Sequence, residues 1–307
     1  MASLTISDLG EKGLIRRMAG KIRTDRTVVR GIGDDCAVLA GPAGKYQLFA
    51  SDMVVEEVHF RRSDTPTAIG WKALAVNVSD IAAMGGLPRW AVVSLGLPRA
   101  TPVRFVDGLY GGLHRCAKQF GVNLVGGDTD RAQKIVVDVA ILGEVEKNRV
   151  VYRSGAKVGD DLFVTGRLGN SFRSGRHLKF IPRVKEARAL GQFTPIHAMM
   201  DISDGLGPDL LRLCEASGVG ATLNAAAIPK SPGVSLSQAL TDGEDFELLL
   251  AVASSQTGRL IRWAKRNLPC GLTRVGRVVP ARGKNRVSLV MPSGLTKPAD
   301  LSGFQHF

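Results

Sequence analysis

The chain has 307 residues, 44% of them hydrophobic and 22% charged, which is typical of a protein with a buried core. Lys and Arg total 41 against 28 Asp and Glu, so the formal net charge is +13 and the surface attracts anions over long range. The basic residues are scattered and only 6% of the chain is aromatic, which argues against a stacking platform for nucleic acid. Nucleotides and phosphorylated metabolites would be attracted to such a surface, but a solvated basic surface is expected before a dedicated binding patch, and no nucleic acid partner is expected.

The cysteines and the N-terminus indicate the compartment. The cysteines show neither a CxxC spacing nor a His partner at zinc-finger distance, so they are expected to be free thiols in a reducing cytosol; they are Cys36, Cys116, Cys214 and Cys270. The N-terminus lacks the charged-then-apolar layout of a signal peptide, and no apolar run reaches membrane-spanning length. A cytoplasmic protein without a membrane partner is expected.

Apolar runs of strand length recur along the whole chain, and helical stretches lie between them. In the first half the predicted strands are Gln47–Ser51, Trp90–Gly96, Val122–Val125 and Ile135–Leu142. In the second half they are Asp161–Thr165, Leu248–Val252, Gly276–Val279 and Val287–Met291. A polar stretch, residues 146–149, separates the two sets. The pattern predicts an α/β protein with two domains, residues 1–147 and 148–307.

A predicted helix between the first two strands contains a carboxylate, Asp80, that has no partner for its charge within the helix. Thr67 is the predicted cap of a helix that runs to about Met84 and stops at two glycines. The helix is apolar almost all round, so it is expected to be buried. Asp80 sits near its negative end and has no Lys or Arg one turn away. A bound cation would stabilise this carboxylate, and hydrogen bonds to a neighbouring loop are the alternative.

Four other acidic residues follow strands or precede a helix. Asp52 and Asp128 each follow a predicted strand, and open α/β sheets bind ligands at the carboxyl ends of strands. Taken singly, the Gly-Asp-Asp of residues 33–35 and the Gly-Gly-Asp of residues 126–128 are ordinary turn formers, and their joint occurrence with Asp80 weakens that interpretation. Asp201 and Asp204 precede a helix that begins near Leu206, where they are caps or the start of a phosphate and metal site. Carboxylates spread over the chain in this way are typical of Mg²⁺ shared with substrate phosphate.

The familiar nucleotide and hydrolase motifs are absent. The sequence has no G-x4-G-K-[ST] loop, no G-x-G-x-x-G after a strand and no protein-kinase signature. It also lacks the Gly-x-Ser-x-Gly and H-E-x-x-H patterns. If the protein uses ATP, cations bridged to aspartates must hold the phosphates. His59, on spacing alone, is a surface or capped histidine more often than a catalytic one.

These residues stand in an order that resembles the thiamine-monophosphate kinases, whose superfamily also contains aminoimidazole-ribonucleotide synthetase and selenophosphate synthetase. Nearly the whole chain is covered. The matching segments are Gly31–Leu39, Ser51-Asp52, Gly70–Pro88, Gly126–Thr129, Arg153–Ala156, Asp201–Leu206, Gly243–Leu248 and Gly303–Phe307.

The resemblance implies a two-domain α/β (α+β) fold like that of aminoimidazole-ribonucleotide synthetase, with an N-terminal domain that pairs into a homodimer and a C-terminal α/β domain. It implies ATP and several Mg²⁺ ions in the cleft between the domains. The Mg²⁺ ligands it implies are Asp35, Ser51, Asp52, Asp80, Asp128, Asp201 and Asp204. The ATP contacts are Tyr110, Gly127, Asp128, Arg153 and Ser203. The contacts to thiamine monophosphate are His59, Glu244 and Phe304.

The implied reaction is direct in-line transfer of the ATP γ-phosphoryl group to thiamine monophosphate. The acceptor phosphate has a second pKa near 6, so its oxygen is mostly ionised at neutral pH and needs little help from a general base. Repulsion between two anions is the main barrier, and Mg²⁺ lowers it by neutralising charge and aligning the groups. No catalytic residue is expected beyond the metal and substrate ligands.

The chain departs from the family pattern in a few places. The segment between Thr165 and Arg176 is shorter than usual, Asp242 stands where Gly is common, and Asp130 stands where Thr is common. Two rival functions remain at this stage. One is another ATP-dependent synthetase of the same superfamily, for which Cys36 must be excluded as a nucleophile. The other is a non-catalytic anion-binding protein on this scaffold.

Overall fold

A computed structural model describes residues 4–281, 283 and 286–303. Its strands form two sheets, one from each half of the chain. The first-half elements, in chain order, are α1 Ile6–Ala19, β1 Val28–Arg30, β2 Ala37–Ala40, β3 Lys45–Val55, α2 Pro66–Ala83, β4 Leu87–Leu97, α3 Val103–Phe120, β5 Asn123–Arg131 and β6 Val136–Glu146. The second-half helices are α4 Ser171–Ser174, α5 Val184–Phe193, α6 Leu206–Ser217, α7 Leu236–Thr241 and α8 Thr257–Asn267. The second-half strands are β7 Asp161–Thr165, β8 Ala198–Ile202, β9 Gly220–Asn224, β10 Glu247–Val252, β11 Leu272–Val279, β12 Val287–Val290 and β13 Thr296–Pro298.

The first sheet has the order β1-β2-β3-β6-β4-β5 and is antiparallel except for the β4–β5 pair. Strands β3 and β6 pair over eleven positions, from Lys45 with Glu146 to Val55 with Val136. One face of this sheet packs against α2 and α3, and alternate residues such as Leu48, Val93 and Val139 fill the core there. The opposite face keeps several large apolar side chains in solvent.

The second sheet has the order β13-β12-β9-β11-β7-β10-β8, with β9 and β12 parallel and every other neighbouring pair antiparallel. Strands β7, β8 and β10 are buried along their whole length, since helices cover them on both faces. The change from one sheet to the other falls between Glu146 and Asp161. The predicted domain boundary at residues 147 and 148 lies in this interval and stays a prediction.

Helix α2 is buried almost all round, as its sequence predicts. Its cap is Thr65, whose side chain accepts a hydrogen bond from the Ala68 amide, and not the predicted Thr67. Pro66 explains the difference, because proline is favoured in the first helical turn and so the helix starts one residue after Thr65. Among the described residues, no helix has both the length and the apolar character that crossing a membrane requires.

The strands around two predicted site residues are longer than their apolar runs. Strand β3 continues to Val55 and β5 continues to Arg131, so Asp52 and Asp128 lie within strands and not at their carboxyl ends. The prediction that Asp52 and Asp128 lie at the carboxyl ends of strands is therefore wrong. Pairing with β6 and β4 carries the ladders through polar residues, which the hydrophobic pattern of one strand does not reveal.

Candidate active site

Three carboxylates from distant parts of the chain meet between the two sheets. Asp35 lies in the loop before β2, Asp80 in the last turn of α2 and Asp201 in β8. One oxygen from each carboxylate lies within 4.8 Å of the others. Helix α2 thus brings its conspicuous carboxylate from the first domain against a buried strand of the second.

The three carboxylates lie in an environment that opposes their charge. The side chain of Asp35 is fully covered, and Asp201 is 2% exposed. Burial and then the negative charge of neighbouring aspartates raise the pKa of Asp80 and of Asp201 well above the usual value. Like-charged groups at this separation are destabilising in the folded chain unless protons or cations neutralise them.

The protein supplies only part of the compensation. Arg153 donates from Nη2 to Asp35 Oδ1 at 2.6 Å, and Ser79 donates from Oγ to Asp201 Oδ2 at 2.5 Å. Asp35 Oδ2 is buried without a hydrogen-bond partner among the described residues, whereas the neighbouring Asp34 pairs through Oδ2 with Arg30 Nε at 3.3 Å. Free carboxylate oxygens that face one another suit a hard divalent cation, so the residues present fit Mg²⁺.

The cluster opens into a cleft of about 1130 Å³. Asp52 lies on the wall of this cleft and is exposed to the solvent that fills it. Partial desolvation by the surrounding walls, followed by the charges of Asp204 and Asp35, raises the pKa of Asp52 to about 6. Asp52 is fixed through its backbone amide, which donates to Asn77 Oδ1 at 2.9 Å. Asp204 also lines the cleft and forms an ion pair with Arg212.

The structure brings most of the predicted site residues to this cleft. The members of the predicted set that line it are Asp35, Ser51, Asp52, His59, Asp80, Arg153, Asp201, Ser203, Asp204 and Glu244. Ser51 donates its hydroxyl to Asp138 at 3.0 Å, on the sheet face opposite to the buried core. Phe304 lies outside the described residues.

Three predicted residues do not line the cleft within this one chain. Tyr110 lies on α3 and packs against the first core, while Gly127 and Asp128 lie on the edge strand β5. Asp128 is three strand spacings from β3, or about 14 Å, too far to share an ion with Asp52. At Gly127 an added Cβ would lie 1.8 Å from the Val93 carbonyl oxygen, so glycine is required for the close approach of β5 to β4.

A second, smaller cavity of about 430 Å³ adjoins the cleft. Its lining includes Phe172 and Asp242, and Glu244 lines both cavities. Phe172 stacks on buried His177 with ring centroids 4.5 Å apart. This cavity offers an aromatic wall and two carboxylates beside the acidic cleft, a combination that suits a planar organic cation.

The sequence analysis missed several groups that shape the site. Asp34 lines the cleft, and burial raises its pKa to about 6. Asp138 faces Ser51 from the neighbouring strand, and Lys72 is buried beside Glu244. Asp34 lies in the matching segment Gly31–Leu39, so the sequence could have identified it. The roles of Asp138 and Lys72 depend on contacts between distant segments of the chain.

The surroundings of Cys36 exclude it as a nucleophile. The thiol is 2% exposed, and burial followed by the charges of Asp80 and Asp35 raises its pKa well above the usual value. A thiol that stays protonated is a poor nucleophile. All four cysteines are free, as the spacing predicts.

Family comparisons agree with this geometry. The models for the N-terminal and C-terminal domains of AIR synthase related proteins match residues 33–145 and 157–287. The thiamine-monophosphate kinase of Synechococcus elongatus is 34% identical over 100% of this chain and 99% of the relative. This chain belongs to the thiamine-monophosphate kinase family. The thiamine-monophosphate kinase of Rhodopirellula baltica is 37% identical over 89% of this chain and 90% of the relative.

The fold agrees over its full length with a solved member of the family. The structure described as AaThiL complexed with AMPPCP and TMP is 33% identical in sequence to this chain and has a TM-score of 0.86. The match covers 100% of this chain and 100% of that chain. The predicted two-domain fold of the AIR synthase type is therefore confirmed.

Proposed function

We propose that this protein is an ATP-dependent kinase that transfers the γ-phosphoryl group of ATP directly to thiamine monophosphate, giving thiamine diphosphate and ADP. The observation that carries the proposal is the carboxylate cluster Asp35, Asp80 and Asp201, which joins both domains in one cleft of a thiamine-monophosphate kinase family member. The similar structure with AMPPCP and TMP supports the same pair of substrates.

The residues of the cleft would neutralise the phosphate charges in two ways, through bound Mg²⁺ and through Arg153. Asp35, Asp80 and Asp201 would hold Mg²⁺, and Asp52, Asp204 and Ser51 would complete the ligand sets from the walls. Bound there, Mg²⁺ neutralises phosphate charge and holds donor and acceptor in line. Arg153 pairs with Asp35, and although burial opposes the charge of Arg153, this contact raises its pKa, so it stays a cation on the wall of the cleft where the phosphates would lie.

The two substrates would approach the cluster from different sides. Arg153 and Ser203 line the cleft where ATP phosphates would lie, and Tyr110, Gly127 and Asp128 remain proposed ATP contacts. His59 and Glu244 would contact thiamine monophosphate, whose cationic ring suits the smaller cavity. Phe304 remains a proposed aromatic contact at the end of the chain.

A homodimer is part of the proposal. The face of the first sheet away from α2 exposes large apolar side chains: Phe49, Met53, Trp90 and Val92 are between 38% and 52% exposed. An apolar sheet face of this kind is typical of a protein–protein interface. Light scattering should give a dimer mass, and Phe49→Asp should yield monomers; a wild-type monomer at micromolar concentration would contradict the homodimer.

The rival functions are less well supported. Another synthetase of the superfamily that uses a cysteine nucleophile would need an accessible thiol, and Cys36 is buried. A non-catalytic anion-binding protein would have no use for converging carboxylates, which repel anions. The cytoplasm, where thiols stay reduced, remains the expected compartment.

Product analysis tests the proposal. Wild-type protein with ATP, Mg²⁺ and thiamine monophosphate should form thiamine diphosphate and ADP in equal amounts, and EDTA should abolish both. ATP hydrolysis without thiamine diphosphate, or transfer only to a different phosphorylated acceptor, would contradict it.

A further inference from the structure

Lys72 carries a buried ammonium group at the contact between the two domains. It lies on α2, between the apolar faces of that helix, and its side chain is 1% exposed. Burial lowers the pKa of Lys72, and this effect outweighs the attraction of the Glu244 carboxylate, which raises it. A lysine is rarely buried to this extent without a specific set of partners, so its contacts call for an explanation.

The ammonium group joins three partners from different segments. Lys72 Nζ donates to the His59 carbonyl oxygen at 2.6 Å and pairs with Glu244 Oε2. His177 Nδ1 lies 2.9 Å from Lys72 Nζ and 3.2 Å from the same Glu244 oxygen. One ammonium group therefore links the main chain of the first domain at His59 to the second domain.

Glu244 has a left-handed backbone conformation and lies where the two cavities meet. Its φ is 68°, in the left-handed region that non-glycine residues seldom adopt, and its amide donates to the Ser203 carbonyl at 2.6 Å. The carboxylate lies where the acidic cleft meets the smaller cavity, since Glu244 lines both. Although burial opposes ionisation, His177 and Lys72 hold the pKa of Glu244 below its usual value.

We propose that Lys72 is a positioning residue that fixes the Glu244 carboxylate and the His59 main chain against the acceptor substrate. It acts through these two groups, since its side chain is 1% exposed although the residue borders the cleft. The inference rests on the proposed function, since it concerns the site that takes thiamine monophosphate. His177, clamped by its stacking on Phe172, keeps the ammonium and carboxylate together.

A matched ion pair elsewhere in the same domain supplies the control. Lys45 on β3 pairs with Glu144 on β6 at 2.7 Å, and its side chain is 41% exposed. This pair touches neither cavity. Lys45→Met removes the same charge from the same residue type without altering the site.

The experiment compares Lys72→Met, Glu244→Gln and the double variant with wild type and Lys45→Met. Calorimetry measures binding of thiamine monophosphate in the presence of AMPPCP and Mg²⁺, and steady-state kinetics gives KM for each substrate. Lys72→Met should weaken thiamine monophosphate binding by about 10- to 100-fold, the loss expected for charged hydrogen bonds, with KM for ATP changed less than about threefold. The double variant avoids an unpaired buried carboxylate, so it remains informative if Lys72→Met folds poorly.

The pattern of effects decides the inference. If Lys72 acts through Glu244 and His59, the loss of thiamine monophosphate binding in the double variant should be smaller than the sum of the two single losses, because the share that passes through Glu244 is lost only once. Additive effects, equal losses for both substrates, or unchanged binding by Lys72→Met in an active enzyme would overturn the positioning role and leave the proposed function in place. Wild-type protein that neither binds nor phosphorylates thiamine monophosphate would overturn the proposed function and, with it, the acceptor named here.

Discussion

Two buried aspartates in the second sheet differ in how the fold treats them. Asp161 on β7 and Asp201 on β8 are each 2% exposed. Asp161 accepts from Arg274 at 2.7 Å, from Arg277 at 3.1 Å and from Thr257 at 2.6 Å. Asp201 accepts from Ser79 and otherwise faces two further carboxylates.

The pKa values follow from this difference. At Asp161 burial opposes ionisation, but the hydrogen bonds from Arg274 and Thr257 hold the pKa below its usual value. At Asp201 burial and the charge of Asp35 raise it. The chain thus surrounds Asp161 with cationic donors, whereas Asp201 accepts from the Ser79 hydroxyl and lies beside two further carboxylates. Compensated acids stabilise the fold, whereas uncompensated acids in a cleft indicate a site.

The largest expected effect separates the carboxylate cluster, represented by Asp80, from Asp161 by activity. Asp80→Asn should lower kcat at least about 10²-fold, because it removes a proposed metal ligand and the charge stabilisation that depends on it. Asp161→Asn, the control, should keep kcat within about threefold of wild type when folded protein is compared. Equal losses in the two variants would contradict the distinction.

Stability should show the reverse order. Asp161→Asn should lower the free energy of unfolding by about 1 to 3 kcal/mol, since Arg274 and Arg277 lose an ionic partner. Metal-free Asp80→Asn should be at least as stable as wild type, because one of three repelling charges is gone. Urea unfolding in EDTA measures both, and a less stable Asp80→Asn protein would argue that the cluster is structural.

The pH dependence of stability should reveal two further acids at the cleft, Asp34 and Asp52. Burial raises the pKa of Asp34 and of Asp52 to about 6 in the folded chain, above the ordinary value of 3.8. Their contribution to stability is therefore present below about pH 4 and is lost as the pH rises through about 6 when metal is absent. Mg²⁺ should raise Tm more at pH 8 than at pH 5 in wild type, as scanning calorimetry can measure. An equal gain at both pH values would contradict the cation site.

The smallest expected effect concerns the Ser79 hydroxyl, which donates to Asp201. Ser79→Ala removes its hydrogen bond and should weaken Mg²⁺ binding about three- to tenfold, with a small change in kcat. Titration of Mg²⁺ in the presence of AMPPCP measures this loss. A fall in kcat as large as that of Asp80→Asn would assign Ser79 a role beyond orienting the carboxylate.

The sequence pointed correctly to the residues whose local context was unusual. Asp80 stood out because a carboxylate in an apolar helix lacked a local partner, and the structure places it beside Asp35 and Asp201. The predicted strand ends before Asp52 and Asp128 were wrong. Hydrogen-bonded pairing with neighbouring strands, and not local hydrophobicity, decides where β3 and β5 end.

Lys72 shows what a single sequence cannot supply. It lay in a helix predicted to be buried, but its partners His177 and Glu244 are 105 and 172 residues away along the chain. No local period or motif connects these segments. Their meeting depends on how the two domains pack, which composition and spacing leave undetermined.

The most direct test is anomalous diffraction from crystals grown with Mn²⁺ and AMPPCP, because Mn²⁺ takes the oxygen ligands that suit Mg²⁺. Anomalous peaks are expected within bonding distance of Asp35, Asp80 and Asp201, and none is expected at Asp161. Peaks absent from the cluster while AMPPCP is bound in the cleft would contradict the claim that these carboxylates receive the catalytic cations.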